Sequence, residues 1–195
     1  MKFKTLFSCL NPFVGWLFIA IFILTSASAA AEDSEVLLYT PPEGFQLKYQ
    51  DTMDNYRLQE WVPEAESVDD WSQMFTLTDS NQLKNMEPRA FFHQIGNKWN
   101  EACPEFGGRM IYEGSENGYS IAVWYLYCPN NPMTGKPEFT YFKGFSGTQG
   151  FYTAQFAFAV KSHEMKQEFA DQAMNQFYEV RLCDEALPDL HPCEQ

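Results

Sequence analysis

Apolar and polar positions alternate along FQLKYQD (45–51), with Phe45, Leu47 and Tyr49 on one side, the pattern of a half-buried strand. VLLYT (36–40) reads as a strand stopped by Pro41-Pro42, and YRLQEWV (56–62) as another between the Asp54-Asn55 turn and Pro63. Ser67 opens a short capped turn, SVDDW, whose helix start would place Asp69 and Asp70 beside a positive helix end. QMFTLT (73–78) is again strand-like. The period then changes. Phe91, Phe92, Ile95, Trp99 and Cys103 recur at helical spacing behind Pro88, which predicts a helix over about 88–103 closed by Pro104 and Gly107-Gly108.

Four more strands follow. RMIYE (109–113) and YSIAVWYLYC (119–128) flank a turn at Glu116-Asn117-Gly118, and the second is apolar on both faces, as a central strand covered on each side requires. FTYFKGF (139–145) and FYTAQFAFAV (151–160) flank a turn at Gly147 and Gly150. Ser162 is the expected cap of a last helix whose stripe holds Met165, Phe169, Ala173, Met174, Phe177 and Tyr178. The expected fold class is α+β: a mainly antiparallel sheet of about six to eight strands with two amphipathic helices packed on it.

Residues 1–31 read as a secretory signal peptide. Lys2 and Lys4 precede an apolar run from Phe13 to Leu24, and TSASAAA offers A-x-A cleavage sites ending at Ala29 or Ala31. The competing reading is an uncleaved anchor, for which that run is short against the ~20 residues a span needs. The chain then divides into a leader and one domain, 32–195. The leader holds two of the 13 bases and none of the 26 acids, so the domain carries 11 against 26, a formal charge of −15. Such a balance repels a polyanion and argues against nucleic acid as a partner. The membrane is expected only through the leader before cleavage.

Cys103, Cys128, Cys183 and Cys193 follow the leader, an even count that suggests two disulfides after export. Three connectivities are open, of which Cys103–Cys128 with Cys183–Cys193 is favoured. Cys103–Cys128 would tie the end of the predicted helix to a strand end, and Cys183–Cys193 would fold the tail back, with Pro188 and Pro192 bending it. Zinc is the rival use, but the spacings contain no C-x-x-C knuckle.

Several motifs carry a resemblance. Trp71-Ser72-Gln73-Met74 gives W-x-x-M, and Cys128-Pro129 leads into Thr134-Gly135-Lys136-Pro137-Glu138. Lys143 to Gly147 and Phe151-Tyr152 then form a K-x-x-x-G…F-Y hairpin. Over most of the domain this resembles an uncharacterised family of secreted or periplasmic bacterial proteins, to which no activity or catalytic residue is attached. In element order the chain is also loosely similar to the PsbP-like fold of photosystem accessory proteins, an architectural likeness that does not fix function.

Catalytic signatures are sparse. His93, His163 and His191 lie in different segments, and no G-x-S-x-G, H-E-x-x-H or Walker loop is present. Gly144-Phe145-Ser146-Gly147 sits in a strand–turn–strand context rather than a nucleophile elbow. His163-Glu164 are adjacent and form no i, i+4 ligand pair; Asp69-Asp70 and Asp51 with Asp54 fit no EF-hand. Neither a metal nor a cofactor is expected. The aromatic hairpin from Phe139 to Phe158 reads as core first and as a ligand surface second. Lys136, Lys143 and Lys161 around it read first as ordinary surface lysines and second as a local positive spot for an anionic group. The constrained loop Pro129–Pro137 is the expected place for recognition, through Asn130, Asn131, Thr134 and Lys136, together with the 113–119 stretch ending at Tyr119. The function expected is an exported, periplasmic or secreted, non-enzymatic protein. It would bind an envelope protein or small ligand, as an inhibitor or immunity protein does. The alternative is a secreted hydrolase with a carboxylate or histidine cleft.

Overall fold

The computed structural model describes residues 34–194; the leader expected over 1–31 lies outside them. Seven antiparallel strands form the main sheet in the order β2-β3-β4-β8-β7-β6-β5: β2 (Phe45–Met53), β3 (Tyr56–Pro63), β4 (Gln73–Ser80), β5 (Gly107–Glu116), β6 (Tyr119–Asn131), β7 (Lys136–Ser146) and β8 (Phe151–Phe158). Helix α1 (Pro88–Ala102) carries the chain from β4 in the middle of the sheet to its far edge at β5. Helix α2 (Gln167–Tyr178) lies over the opposite face. A second, two-stranded sheet pairs β1 (Glu35–Leu38) with β9 (Arg181–Asp184). The architecture is α+β, with helices on both sides of an antiparallel sheet.

Alternation within the strands decides which side each residue meets. In β6, Ala122, Trp124 and Leu126 point to α1, where Phe91, Phe92, Ile95 and Trp99 pack on them. Ile121 and Val123 point the other way, into the larger core under α2. Trp124 stacks flat on Phe142 at 5.2 Å between ring centres. The hairpin β7–β8 supplies Phe139, Tyr141, Phe145, Phe156 and Phe158 to that larger core, so its aromatic residues serve packing. Completely burying side chains of this size contributes roughly 1.5–3 kcal/mol each.

Glycine is required at two places. A Cβ on Gly108 would stand 2.7 Å from the Tyr125 carbonyl oxygen and collide with Leu126, so β5 can approach β6 closely only without one. Asn117 (φ 51°) and Gly118 (φ 81°) form the two-residue β5–β6 turn, whose left-handed backbone suits this dipeptide.

Both disulfides join the pairs favoured from the sequence. Cys103–Cys128 ties the end of α1 to β6, with Cα atoms 6.0 Å apart, and Cys183–Cys193 closes the tail with Cα atoms 5.0 Å apart. The tail also docks through His191, which stacks on Tyr119 at 4.1 Å, and through Asn117, which donates to the Leu182 and Pro192 carbonyls at 2.8 and 3.1 Å. At the same end of the domain, opposite Asp184 in the β1–β9 pair, the buried Glu35 carboxylate accepts hydrogen bonds from Thr148 N (2.8 Å), Thr148 Oγ1 (2.9 Å), Gln149 N (2.9 Å) and Tyr152 Oη (3.1 Å).

Four expectations need correction. Ser162 does not cap the last helix: residues Ser162–Glu164 make a separate 3-10 turn in which the Lys161 N–H donates to Glu164 Oε2 at 3.1 Å, and α2 starts at Gln167. No helix starts at Ser67, because the segment closes on itself through an isolated Ser67–Asp70 bridge. Asp69 and Asp70 therefore meet no helix end. Gly107 and Gly108 belong to β5 rather than to a turn after α1. Lys143 is no surface lysine, being 3% exposed. Its Nζ donates to both Glu116 oxygens at 2.9 Å and to the Phe177 and Val180 carbonyls at 2.8 and 2.9 Å, holding the end of α2. Burial pushes its pKa down, against the opposing pull of Glu116.

Candidate functional site

Helix α1 is fifteen residues long and covers only part of its side of the sheet. Its aromatic residues rest on β6 and β7, and Phe91 reaches Phe151 at the start of β8 at 4.4 Å. Beyond that, the same face of β3, β4 and β8 presents a row of polar side chains beside the apolar Leu58, Met74 and Ala157. Cross-strand pairing fixes them: Glu60 lies opposite Thr76, Thr76 opposite Gln155, and Gln155 opposite Phe142, which α1 covers. One row across the sheet thus changes from carboxylate, hydroxyl and amide to aromatic.

A groove of about 510 Å³ lies over the polar part. Val68 and Trp71 pack on Val62, Met74 and Ala157 and close one end. The loop between β6 and β7 closes another, with Met133, 90% exposed, on its rim. A smaller cavity of about 350 Å³ runs on beside Ile95 and Trp99 of α1 and shares Asn131, Met133, Glu138 and Gln155 with the groove.

That loop is firmly built. Asn131 Oδ1 accepts the Met133 N–H at 2.9 Å, its backbone carbonyl accepts the Gly135 N–H at 2.7 Å, and Gly135 takes a left-handed φ of 67°. Asn131 Nδ2 donates to Glu138, whose other oxygen accepts Thr140 Oγ1 at 2.8 Å. Lys136 pairs with Asp70 and donates to the Trp71 carbonyl at 3.4 Å, fastening the loop to the 64–72 segment. The hydrogen bond and charge of Lys136 hold the Asp70 carboxyl below its usual range.

Glu60 contrasts with Glu138. It is partly buried and makes no side-chain hydrogen bond or ion pair with other described residues; desolvation raises its pKa. Burial, followed by the charges of Glu60, Asp79 and Asp51, likewise raises that of Tyr56. Thr76 is 8% exposed and its hydroxyl also makes no hydrogen bond with other described residues.

Of the residues singled out from the sequence, Asn131 and Thr134 line this groove and Lys136 anchors its loop. Asn130 is exposed and lines neither cavity. Tyr119 begins the strand that Asn131 ends, about 40 Å away at the usual rise per residue, and is buried under His191. Burial first, then the Glu35 and Asp184 carboxylates, pushes its pKa well up. It shares no site with the loop. Glu60, Thr76 and Gln155 were not foreseen, because only the strand order brings them together.

The geometry also bears on hydrolysis. Glu60 and Glu138 are three strands and four residues apart, about 20 Å between Cα atoms, well beyond the spacing of a glycosidase carboxylate pair. His93 is exposed on α1, His163 is exposed in the 3-10 turn beside Glu164, and His191 is in the tail. Among the described residues no group of three His, Cys, Asp or Glu side chains is placed to hold a metal ion, and no helix is long and apolar enough to cross a membrane. Two disulfides are the chemistry of an oxidising compartment.

What fold and groove define together is a disulfide-bonded α+β domain with a polar, acid-lined cleft on one side of its sheet. No family model and no curated protein sequence matches the chain. Among solved structures it is similar to the Saccharomyces cerevisiae Ran-binding protein Mog1p, at 10% identity and a TM-score of 0.48, over 80% of this chain and 98% of that one. It is similar also to cyanobacterial PsbP from Synechocystis sp. PCC 6803, at 9% identity and a TM-score of 0.43, over 82% and 98%. A third is LpqN, involved in cell envelope biogenesis of Mycobacterium tuberculosis, at 14% identity and a TM-score of 0.40, over 76% and 90%. Likenesses at this level assign no activity.

Proposed function

We propose that the chain is an exported, non-enzymatic binding protein, periplasmic or secreted, that receives a segment of a partner protein in the groove over β3, β4 and β8. The observation that carries this reading is the row Glu60–Thr76–Gln155: polar groups set in register on rigid strands, two of them without partners among the described residues, beneath an open groove. Partly desolvated polar groups that open onto a groove and make no hydrogen bond with other described residues support a ligand that bonds them. The 26 acids against 13 bases of the chain favour electrostatically steered association, as for an inhibitor or immunity protein meeting a basic enzyme.

The test is a photo-crosslinking residue at Met133 in the intact protein, irradiated in its native envelope. The expected result is one discrete adduct, lost when Gln155→Ala is added and weakened by high salt. No adduct, with turnover of a glycan or ester by the purified protein instead, would overturn the reading.

A further inference from the structure

Building on the groove as a partner site, we infer that its occupant is an extended protein segment carrying two basic side chains six residues apart, one meeting Glu60 and the other Glu138. Three acids, Glu60, Asp69 and Glu138, line the wide part of the groove, and no Lys, Arg or His lines it. The cations nearby are already engaged: Lys136 with Asp70, and Lys98, on α1 and lining the narrower cavity, with Glu101 at 3.4 Å. An anionic ligand would meet only repulsion there.

Acidic lining alone would fit any solvated surface, but two further features point to a ligand. Thr76, directly opposite Glu60, is 8% exposed on a side that faces the groove, and its hydroxyl has no partner among the described residues. Glu60 is half-buried with no donor among the described residues to compensate it, an environment in which an arriving ammonium or guanidinium gains. Glu138 uses one lone pair of each oxygen on Thr140 and Asn131, so both oxygens can still accept from a cation.

Spacing follows from the sheet. The two carboxylates stand about 20 Å apart at the Cα level, the length of about six residues of extended chain. Because side chains of an extended segment alternate, an even separation puts both bases on the side facing the floor. Thr76 adjoins the start of the diagonal between them, which then passes over Ala157, and Gln155 flanks it on one side.

The experiment is fluorescence anisotropy of the disulfide-bonded protein with labelled twelve-residue peptides of Ser, Thr and Gly. These carry Arg at i and i+6, Arg at i and i+5, or Glu at i and i+6. The i, i+6 Arg peptide is expected to bind tightest, about tenfold over the i, i+5 peptide, and the Glu peptide not at all. Glu60→Gln and Glu138→Gln should each weaken binding about tenfold, as loss of a charged hydrogen bond does. Thr76→Val, which keeps shape and β-branching, should weaken it about threefold with an unchanged circular dichroism spectrum. Glu105→Gln, the same charge change at an exposed site outside the groove, should alter it less than twofold. Equal losses in Glu60→Gln and Glu105→Gln would reduce the effect to general attraction and overturn the inference. So would equal binding of all three peptides. If the Met133 adduct persists in either case, the groove remains the partner site and only the cationic ligand is rejected; if the adduct is absent too, both readings fall.

Discussion

Two neighbouring rows of side chains cross the same strands and end in opposite chemistry. On the α2 side, Trp61, Phe75, Phe156, Tyr141 and Tyr125 follow one another from β3 to β6, aromatic throughout. On the α1 side, one residue along, the row reads Glu60, Thr76, Gln155, Phe142 and Trp124. The backbone and pairing are shared, so secondary structure cannot account for the difference. What differs is cover: α2 and the β1–β9 ribbon overlay their side broadly, whereas α1 stops over β7 and the start of β8. Where cover ends the sequence turns polar, and the polar side chains are left in a groove rather than on a convex surface.

Substitution at the aromatic end of the α1-side row should sharpen this contrast most. Trp124→Ala removes a fully buried ring between Phe142 and the α1 aromatics, with an expected loss of about 3–5 kcal/mol in urea unfolding. Thr76→Val at the polar end should cost less than about 1 kcal/mol; comparable losses at the two positions would show that the polar half is packed core. Next in size are the staples. Replacing Cys103 and Cys128 with Ser opens a 25-residue span and is expected to cost about 3.5 kcal/mol; the same change at Cys183 and Cys193, a 10-residue span, about 2.7 kcal/mol, both read from denaturant midpoints. A reversed order would mean that the tail contributes more than its loop length.

The smallest effect concerns Glu60. Its folded pKa lies above that of the unfolded chain, so the folded state binds more protons in the interval above about 4.5, and stability falls as pH rises through it. Glu60→Gln should therefore make the protein more stable at pH 7, by less than about 1 kcal/mol, with the gain fading as the pH falls below 4. Thermal melts at the two pH values check this. A loss of stability at pH 7 would assign Glu60 a structural partner and remove it from the binding floor.

Much of the covered architecture was legible in local pattern. The helical recurrence of Phe91, Phe92, Ile95 and Trp99 and the two-sided apolarity of β6 foretold which surfaces would meet, and the tail and helix-end cysteines foretold their partners. Of the residues singled out in the Pro- and Asn-rich turn, Asn131 and Thr134 line the groove and Lys136 anchors its loop, whereas Asn130 lines neither cavity. Other features depend on chain path. β9 is four residues, RLCD, too short to display a period, and it is defined by pairing with a strand near the other end of the domain. Glu60 and Gln155 become near neighbours only because β4 lies between β3 and β8. Lys143, in FTYFKGF, looks solvent-facing until the end of α2 is laid over it.

The β1–β9 ribbon joins the domain's opening and closing segments into one structural unit. Proteolysis that clipped the chain before Arg181 would strip β1 of its partner and, with it, loosen the grip of Glu35 on the 147–150 turn. Damage at the carboxyl end would thus be transmitted to the amino end and from there to the middle of the sequence, so resistance to trimming of the tail protects far more of the protein than the few residues at risk.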